Sequence, residues 1–122
     1  MYKKLLIVLV FGAFIIPNLD WRVYLDLFPE IREVSFCESR INNKALNPKD
    51  TDGLPAYGLL QFKKNTFYKW AKLAEIDEPD LWNPWQQIVL YRWAKENDLL
   101  GHWGCFNKLS KNSVFRARYV EL

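Results

Sequence analysis

The segment from Ser39 to Gly58 constrains the fold most, because it is too rich in turn-forming residues to continue a helix. Its turn signals are Asn42-Asn43, Asn47-Pro48, Asp50, Asp52-Gly53 and Pro55. We predict a small irregular β-hairpin here, with Tyr57 to Phe62 as its apolar return strand. Helical patterns flank the segment on both sides. The sequence therefore predicts an α+β fold that is mainly helical.

A first helix is predicted to begin at Pro29, because proline fits the first position of a helix. Ile31, Val34 and Glu38 follow with the spacing i, i+3 and i+7, so they share one face. A helix that buries the two aliphatic side chains would therefore bury the Glu38 carboxyl as well.

Glu38 would also lie near the C-terminus of that helix, where the negative end of the helix dipole disfavours another negative charge. Burial and the dipole both raise the pKa of a carboxyl group. A raised pKa is what a general acid needs near neutral pH. The alternative is an ordinary surface glutamate at a helix end.

Two further helices are predicted after the hairpin. Asn65 is a candidate cap for the first of them. Its apolar stripe is Phe67, Trp70, Ala71 and Ala74. Asn83 and Pro84 predict the start of the second, which we expect to end near Leu100. Weak periodicity after residue 106 predicts a loosely held basic tail, residues 107–122.

The N-terminus begins with Lys3 and Lys4, followed by an apolar run from Leu5 to Ile16. This pattern is typical of a signal peptide, and the run is short for a membrane span of about 20 apolar residues. Residues 1–17 are therefore predicted to be a signal peptide or N-terminal anchor, and residues 18–28 a linker or helical extension. No good small-x-small cleavage site follows the run, so the sequence does not decide whether the leader is cleaved. A buried N-terminal helix is a further alternative for this segment.

Two cysteines, Cys37 and Cys105, in an exported chain suggest one disulfide. His102 lies three residues before Cys105, but two cysteines and one histidine make an incomplete zinc site. We expect neither a metal nor a cofactor. The expected location is secreted or at the cell envelope, with membrane anchoring through the apolar run as an alternative.

Charge is distributed unevenly along the chain. Residues 18–106 carry 11 Lys+Arg against 13 Asp+Glu, whereas residues 107–122 have a net charge of +3. A nucleic-acid-binding domain needs a clustered basic face on its body. We therefore expect no nucleic-acid partner, and we expect a monomer.

The order of several short motifs along the chain is informative about its family. The set is Cys37-Glu38-Ser39, Asn47-Pro48, Tyr57-Gly58-Leu59-Leu60-Gln61-Phe62, Thr66-Phe67, Asn83-Pro84, Gln87-Ile88, Trp103 and Cys105. Over residues 29–106 the chain resembles the lysozyme-like catalytic domain of soluble lytic transglycosylases and goose-type lysozymes. It is most similar to the resuscitation-promoting-factor branch. The resemblance implies a lysozyme-like fold that acts on peptidoglycan glycan strands.

The resemblance also implies roles for individual residues. Glu38 corresponds to the catalytic acid of the family, and Cys37 and Cys105 to the cysteines joined in this branch. The residues expected to bind substrate are Tyr57, Gly58, Leu59, Gln61, Asn47 and Trp103. Gly58 would let the backbone approach a sugar, and Gln61 would hydrogen-bond to it.

Two features depart from the family pattern. Leu59 stands where the branch often has a second glycine, and Trp103-Gly104-Cys105 is one residue shorter than the usual spacing. The chain is also rich in aromatic residues, with six Trp, six Tyr and eight Phe. Some of these rings are expected to line a sugar-binding cleft, with a place in the core as the alternative for each ring.

The expected reaction is cleavage of the β-1,4 bond between N-acetylmuramic acid and N-acetylglucosamine. A two-carboxylate mechanism would need a second acidic group, for which Asp50 and Asp52 are candidates. Asp52-Gly53 is also ordinary turn chemistry, and lytic transglycosylases use a single glutamate. Hydrolysis and transglycosylation stay open, as do a non-catalytic wall-binding module and a wall-opening accessory of a phage or secretion assembly.

Overall fold

The computed structural model describes residues 19–121, which form a mainly helical fold with one two-stranded antiparallel sheet. The elements are α1 (Trp21–Leu27), α2 (Pro29–Ser39), β1 (Leu46–Asn47), β2 (Ala56–Tyr57), α3 (Lys64–Leu73), α4 (Pro84–Glu96), a 3₁₀ turn (Leu100–His102), α5 (Gly104–Leu109) and α6 (Ser113–Tyr119). The predicted leader, residues 1–17, lies outside the described residues. Between residues 19 and 121, no helix is long and apolar enough to cross a membrane.

Helix α2 begins at Pro29, as predicted, and buries Ile31 and Val34. It ends at Ser39, where Arg40 adopts a left-handed conformation and turns the chain toward the hairpin. Glu30 in its first turn is also buried and forms an ion pair with Lys95 on α4. This pair supplies the counter-charge that a buried carboxylate requires.

The predicted hairpin is present but shorter than expected. Leu46 pairs with Tyr57 and Asn47 with Ala56. The predicted return strand from Tyr57 to Phe62 is wrong, because β2 ends at Tyr57 and the next four residues form a turn. Gly58 and Gln61 have φ angles of 79° and 52°, which an extended strand does not allow.

Helix α3 buries the predicted stripe of Phe67, Trp70, Ala71 and Ala74. Its predicted start is wrong: the helix begins at Lys64, so Asn65 lies within its first turn rather than at the cap. Phe67 and Trp70 both pack edge-on against Phe62. This tertiary packing outweighs a capping preference of about 1 kcal/mol.

Helix α4 begins as predicted, with the Asn83 side chain accepting a hydrogen bond from the Gln86 backbone N–H at 3.2 Å. It ends earlier than expected, at Glu96 rather than near Leu100. The reason is Asp98, whose φ angle of 56° reverses the chain. The Leu99 N–H then closes the helix end by donating to the Ala94 carbonyl at 2.9 Å.

The expectation of a loosely held C-terminal segment is wrong. Asn112 caps α6 by accepting hydrogen bonds from two backbone N–H groups. Phe115 on α6 is only 4% exposed and belongs to the hydrophobic core, with Phe106 packed against it. Residues 113–119 therefore contribute to the folded domain, because their aromatic side chains bury apolar area. The apolar periodicity of one short helix is too weak to predict this packing from the sequence.

Candidate active site

Glu38 lies at the C-terminal end of α2, next to the buried face formed by Ile31 and Val34, and its own side chain is half-buried. This placement agrees with the predicted shared face. The chain reverses immediately afterwards at Arg40, and Asp50 in the hairpin lies close enough for its charge to act on the Glu38 carboxyl.

The pKa of Glu38 is raised to about 7, mainly because burial disfavours the charged form and secondly because of the negative charge of Asp50. The backbone N–H of Cys105 and the charge of Lys63 oppose the increase. The predicted increase in the pKa of Glu38 is thus confirmed. The contribution of Asp50 to this increase did not follow from the position of Glu38 in the helix. At neutral pH the group is divided between its two protonation states, so it can both give and accept a proton.

The predicted disulfide between Cys37 and Cys105 is present, with a Cα–Cα distance of 5.9 Å. It joins α2 to α5 at the residue before Glu38, and so brings the Cys105 N–H to the carboxyl group. Both sulfurs are committed to this bond, so the alternative of a metal site with His102 lacks its thiolate ligands. In the described part of the chain, no group of three His, Cys, Asp or Glu residues could hold a metal ion.

Asp50 and Asp52, the two candidate second carboxylates, share one cation. The Lys63 ammonium lies 2.8 Å from Asp50 and 3.0 Å from Asp52, and also donates to the Leu54 carbonyl at 3.1 Å. The hydrogen bond from Lys63 is the main reason that the pKa of Asp50 is lowered. The Leu54 N–H, followed by Lys63, lowers the pKa of Asp52. Both aspartates are therefore ionised at neutral pH, unlike Glu38.

Asn47 and Tyr57 lie on the hairpin strands and are half-buried. The Asn47 amide donates to Asp50 at 3.4 Å, which places Asn47 next to the acidic cluster. The Tyr57 ring makes a perpendicular contact with Trp82, with a centroid distance of 5.5 Å. Gln61 turns back toward the hairpin, where its amide donates to the carbonyls of Ala45 and Gly58 at 3.2 and 3.0 Å.

Gly58, Leu59 and Trp103 are buried. The close approach that Gly58 allows is made by the Gln87 side chain, which occupies the space where a Cβ atom would lie. Leu59 is fully buried, and Trp103 is 2% exposed with its indole N–H donating to the Leu60 carbonyl at 2.8 Å. Leu59 and Trp103 therefore support the site from the core beneath it.

Three positioning residues were given no role from the sequence, although Ser39 and Gln87 belong to the motif set. Lys63 holds the two aspartates, and Ser39 donates to the Leu59 carbonyl at 2.6 Å, which ties the end of α2 to the turn after β2. Buried Gln87 accepts from the Leu60 N–H at 2.8 Å and donates to the Tyr57 carbonyl at 3.0 Å. The structural role of Gln87 could have been predicted from the sequence, since it is a polar residue within the buried stripe that continues with Ile88 and Tyr91.

Family models, curated proteins and solved structures were compared with the chain, and none matches. The functional conclusion therefore depends on the chemistry of the site and on the motif order from Cys37 to Cys105. The site brings together one carboxyl group with a pKa near neutrality, two ionised carboxylates and one lysine, all beside the hairpin. A carboxyl group with a raised pKa beside carboxylates that stay ionised is an arrangement typical of acid–base catalysis.

Proposed function

We propose that this protein is a peptidoglycan-cleaving glycosidase with a lysozyme-like fold, in which Glu38 acts first as general acid and then as base. The bond cleaved is the β-1,4 linkage between N-acetylmuramic acid and N-acetylglucosamine. The observation that carries the proposal is the half-buried Glu38 carboxyl, whose pKa of about 7 differs from those of the ionised aspartates nearby. The motif order from Cys37 to Cys105 supports the choice of substrate.

In the first step, protonated Glu38 gives its proton to the glycosidic oxygen as the bond between that oxygen and the anomeric carbon breaks. Positive charge develops on the sugar, and the oxygen of the neighbouring N-acetyl group can stabilise it by bonding to the anomeric carbon. Glu38 is left as a carboxylate. It then removes a proton from water or from the 6-hydroxyl of the muramic sugar as that oxygen bonds to the anomeric carbon and the bond from the acetamido oxygen to that carbon breaks, which restores both the acid and the N-acetyl group.

The Lys63 contacts favour this single-glutamate route. Asp50 and Asp52 are both held by the Lys63 ammonium, which reduces the ability of either carboxylate to attack a sugar. If a second carboxylate takes part, Asp50 is the better candidate, since its charge acts on Glu38. Asp52 is exposed at the tip of the hairpin, where it caps its own turn by accepting from the Leu54 N–H.

The disulfide supports an extracytoplasmic location, because such bonds persist in oxidising compartments. A secreted or envelope protein meets peptidoglycan directly. We propose that the protein acts there as a monomer on glycan strands, with the N-terminal apolar run as its leader or anchor.

The test is digestion of purified peptidoglycan followed by mass spectrometry of the fragments. Transglycosylation yields anhydro-muramic ends that are one water lighter than hydrolysis products. Glu38→Gln should lower the rate by roughly 10²–10⁴-fold or more, because the amide cannot deliver a proton. Glu33→Gln is a matched control, since Glu33 is an exposed glutamate on the same helix.

Circular dichroism confirms that each variant is folded. A folded Glu38→Gln protein with unchanged activity would show that the assignment is wrong. A wild-type protein that binds peptidoglycan without releasing fragments would favour a non-catalytic wall-binding module. Loss of activity in Asp50→Asn as complete as that in Glu38→Gln would favour a two-carboxylate mechanism.

A further inference from the structure

The side of α2 that faces away from the core is exposed between two neighbouring helices. Its exposed residues, Arg32, Glu33, Phe36 and Arg40, recur at helical spacing. Helix α1 borders one edge of this side, where the Asp26 carboxylate lies 3.7 Å from the Arg32 guanidinium.

Helices α5 and α6 border the other edge. The disulfide joins Cys37 of α2 to Cys105 of α5. One turn earlier on α2, Glu33 lines a groove together with Val114 and Arg118 of α6. The exposed sides of α1, α2 and α6 therefore form one continuous surface, which we call the outer face.

The outer face carries large apolar side chains from all three helices. Val23 and Leu27 lie one turn apart on α1, Phe36 lies on α2 and Val114 on α6. Each of these side chains is 45–61% exposed. Single exposed apolar residues are common, but several on one face indicate an interaction surface.

Positive charge is concentrated at the α5–α6 edge of the outer face. Residues 107–122 have a net charge of +3, and their basic side chains are all exposed: Lys108, Lys111, Arg116 and Arg118. At the α1 edge the charges are locally balanced, because Arg22 lies 3.7 Å from Asp20 and Arg32 lies 3.7 Å from Asp26. Exposed apolar side chains beside an excess of basic ones are typical of surfaces that bind anionic lipid headgroups.

The position of the apolar run Leu5–Ile16 identifies the partner. The run has 12 residues without a polar side chain, and α1 begins at Trp21. Five residue-to-residue steps separate Ile16 from Trp21, and they cover at most about 18 Å. If the run is embedded in a bilayer, α1 is therefore held close to the lipid surface.

We infer that the outer face docks on an anionic lipid bilayer in which the apolar run is embedded. The run itself is a poorer occupant of the outer face, because a segment that is apolar on every side would still expose most of its surface to water there. The inference goes beyond the proposed function and does not depend on it.

The experiment is photolabelling of the full chain on vesicles of phosphatidylcholine and phosphatidylglycerol in equal amounts. A photoreactive group on the acyl chain, close to the glycerol, labels side chains at the lipid surface, and mass spectrometry locates the adducts. Leu27, Phe36 and Val114 should be labelled. Leu73 and Tyr68 are exposed apolar residues of α3, away from the outer face, and should not be labelled.

Apolar variants test the contact with lipid. Leu27→Ser combined with Phe36→Ser should lower the labelling of Val114 by about tenfold or more, because two apolar side chains no longer leave water. Leu73→Ser is the matched control and should label like the wild type. The apolar run is intact in every variant, so the total amount of vesicle-bound protein should not change.

Charge variants test the preference for anionic lipid. Lys111→Gln and Arg118→Gln should each lower the labelling of Val114 by up to about fivefold at low salt. High salt, or vesicles of phosphatidylcholine alone, should remove the difference between these variants and the wild type. Lys69→Gln and Lys72→Gln, which change exposed lysines of α3, are the matched controls.

Labelling confined to the apolar run, or equal labelling of Leu27 and Leu73, would overturn the inference. A second copy of the chain is the competing occupant, and a photoreactive phenylalanine analogue in place of Phe36 distinguishes the two. An adduct with lipid supports docking on the bilayer, whereas a cross-link to a second chain contradicts it. Glu38→Gln should label like the wild type, so the result is separate from that of the peptidoglycan digestion.

Discussion

The amide nitrogen of Gln87 lies 2.5 Å from the point that a Cβ atom on Gly58 would occupy. From this position Gln87 donates to the carbonyls of Tyr57 and Leu81, and its oxygen accepts from the Leu60 N–H. One buried side chain thus joins α4 to the turn after β2. The relationship explains why a residue without a side chain stands at position 58.

Gly58→Ala should lower the free energy of unfolding by about 2–5 kcal/mol, because left-handed backbone strain adds to the displacement of Gln87. Gly53→Ala is the matched control: Gly53 has a φ angle of 82°, close to that of Gly58, but no atom lies within 4 Å of the point that its added Cβ would occupy. It should cost only about 1–2 kcal/mol. Urea unfolding of both variants measures the difference, and equal losses would contradict a role for the Gln87 contact.

Glu38→Gln should stabilise the protein at pH 8. Because the pKa of Glu38 is about 7 in the folded state and near 4.5 in the unfolded chain, the folded state binds more protons between these values. Stability therefore falls as pH rises through this window. The variant escapes this loss and should gain about 1–3 kcal/mol at pH 8, given that Glu38 is only half-buried. The gain should vanish near pH 4, and a gain that does not depend on pH would contradict the raised pKa.

Asp50→Asn should shift the alkaline limb of the pH–activity profile to lower pH. The charge of Asp50 raises the pKa of Glu38, so its removal leaves less of the protonated acid at neutral pH. Release of Lys63 from its pairing with Asp50 acts in the same direction. Asp52→Asn, which alters an exposed carboxylate of the same cluster, should move the limb less. The profile of kcat/KM for peptidoglycan fragments provides the measurement.

Lys63→Met should shift the same limb to higher pH, because the charge of Lys63 lowers the pKa of Glu38. The variant should also lose stability, since two carboxylates lose their shared cation. Lys64→Met serves as the control, as Lys64 is the exposed neighbour at the start of α3. A shift to lower pH in Lys63→Met would contradict the electrostatic account of the site.

Replacing both cysteines, as in Cys37→Ser with Cys105→Ser, should cost about 4 kcal/mol, because the bond closes a long loop in the unfolded chain. The two residues are 68 positions apart. Urea unfolding under oxidising conditions tests this, and reduced wild-type protein should behave like the double variant. Equal stability of oxidised and reduced wild-type protein would be inconsistent with the bond.

Local patterns predicted a large part of the fold. Pro29 and Asn83-Pro84 mark the starts of α2 and α4, and the stripe on α3 identifies its buried face. These features are readable because capping and amphipathic spacing involve residues within a few positions of one another. The place of Glu38 on the buried side of α2 followed from the same local rule.

The sequence by itself thus determined the mainly helical fold, the hairpin between α2 and α3, and the carboxyl group at the end of α2. The tertiary structure decided that β2 ends at Tyr57, that Phe115 packs into the core, and that Lys63 holds Asp50 and Asp52. It also placed Gln87 against Leu60, 27 positions earlier in the chain. The physical reason is range: capping and periodicity act over one or two turns, whereas buried hydrogen bonds and ion pairs join residues that only the packing of distant elements brings together.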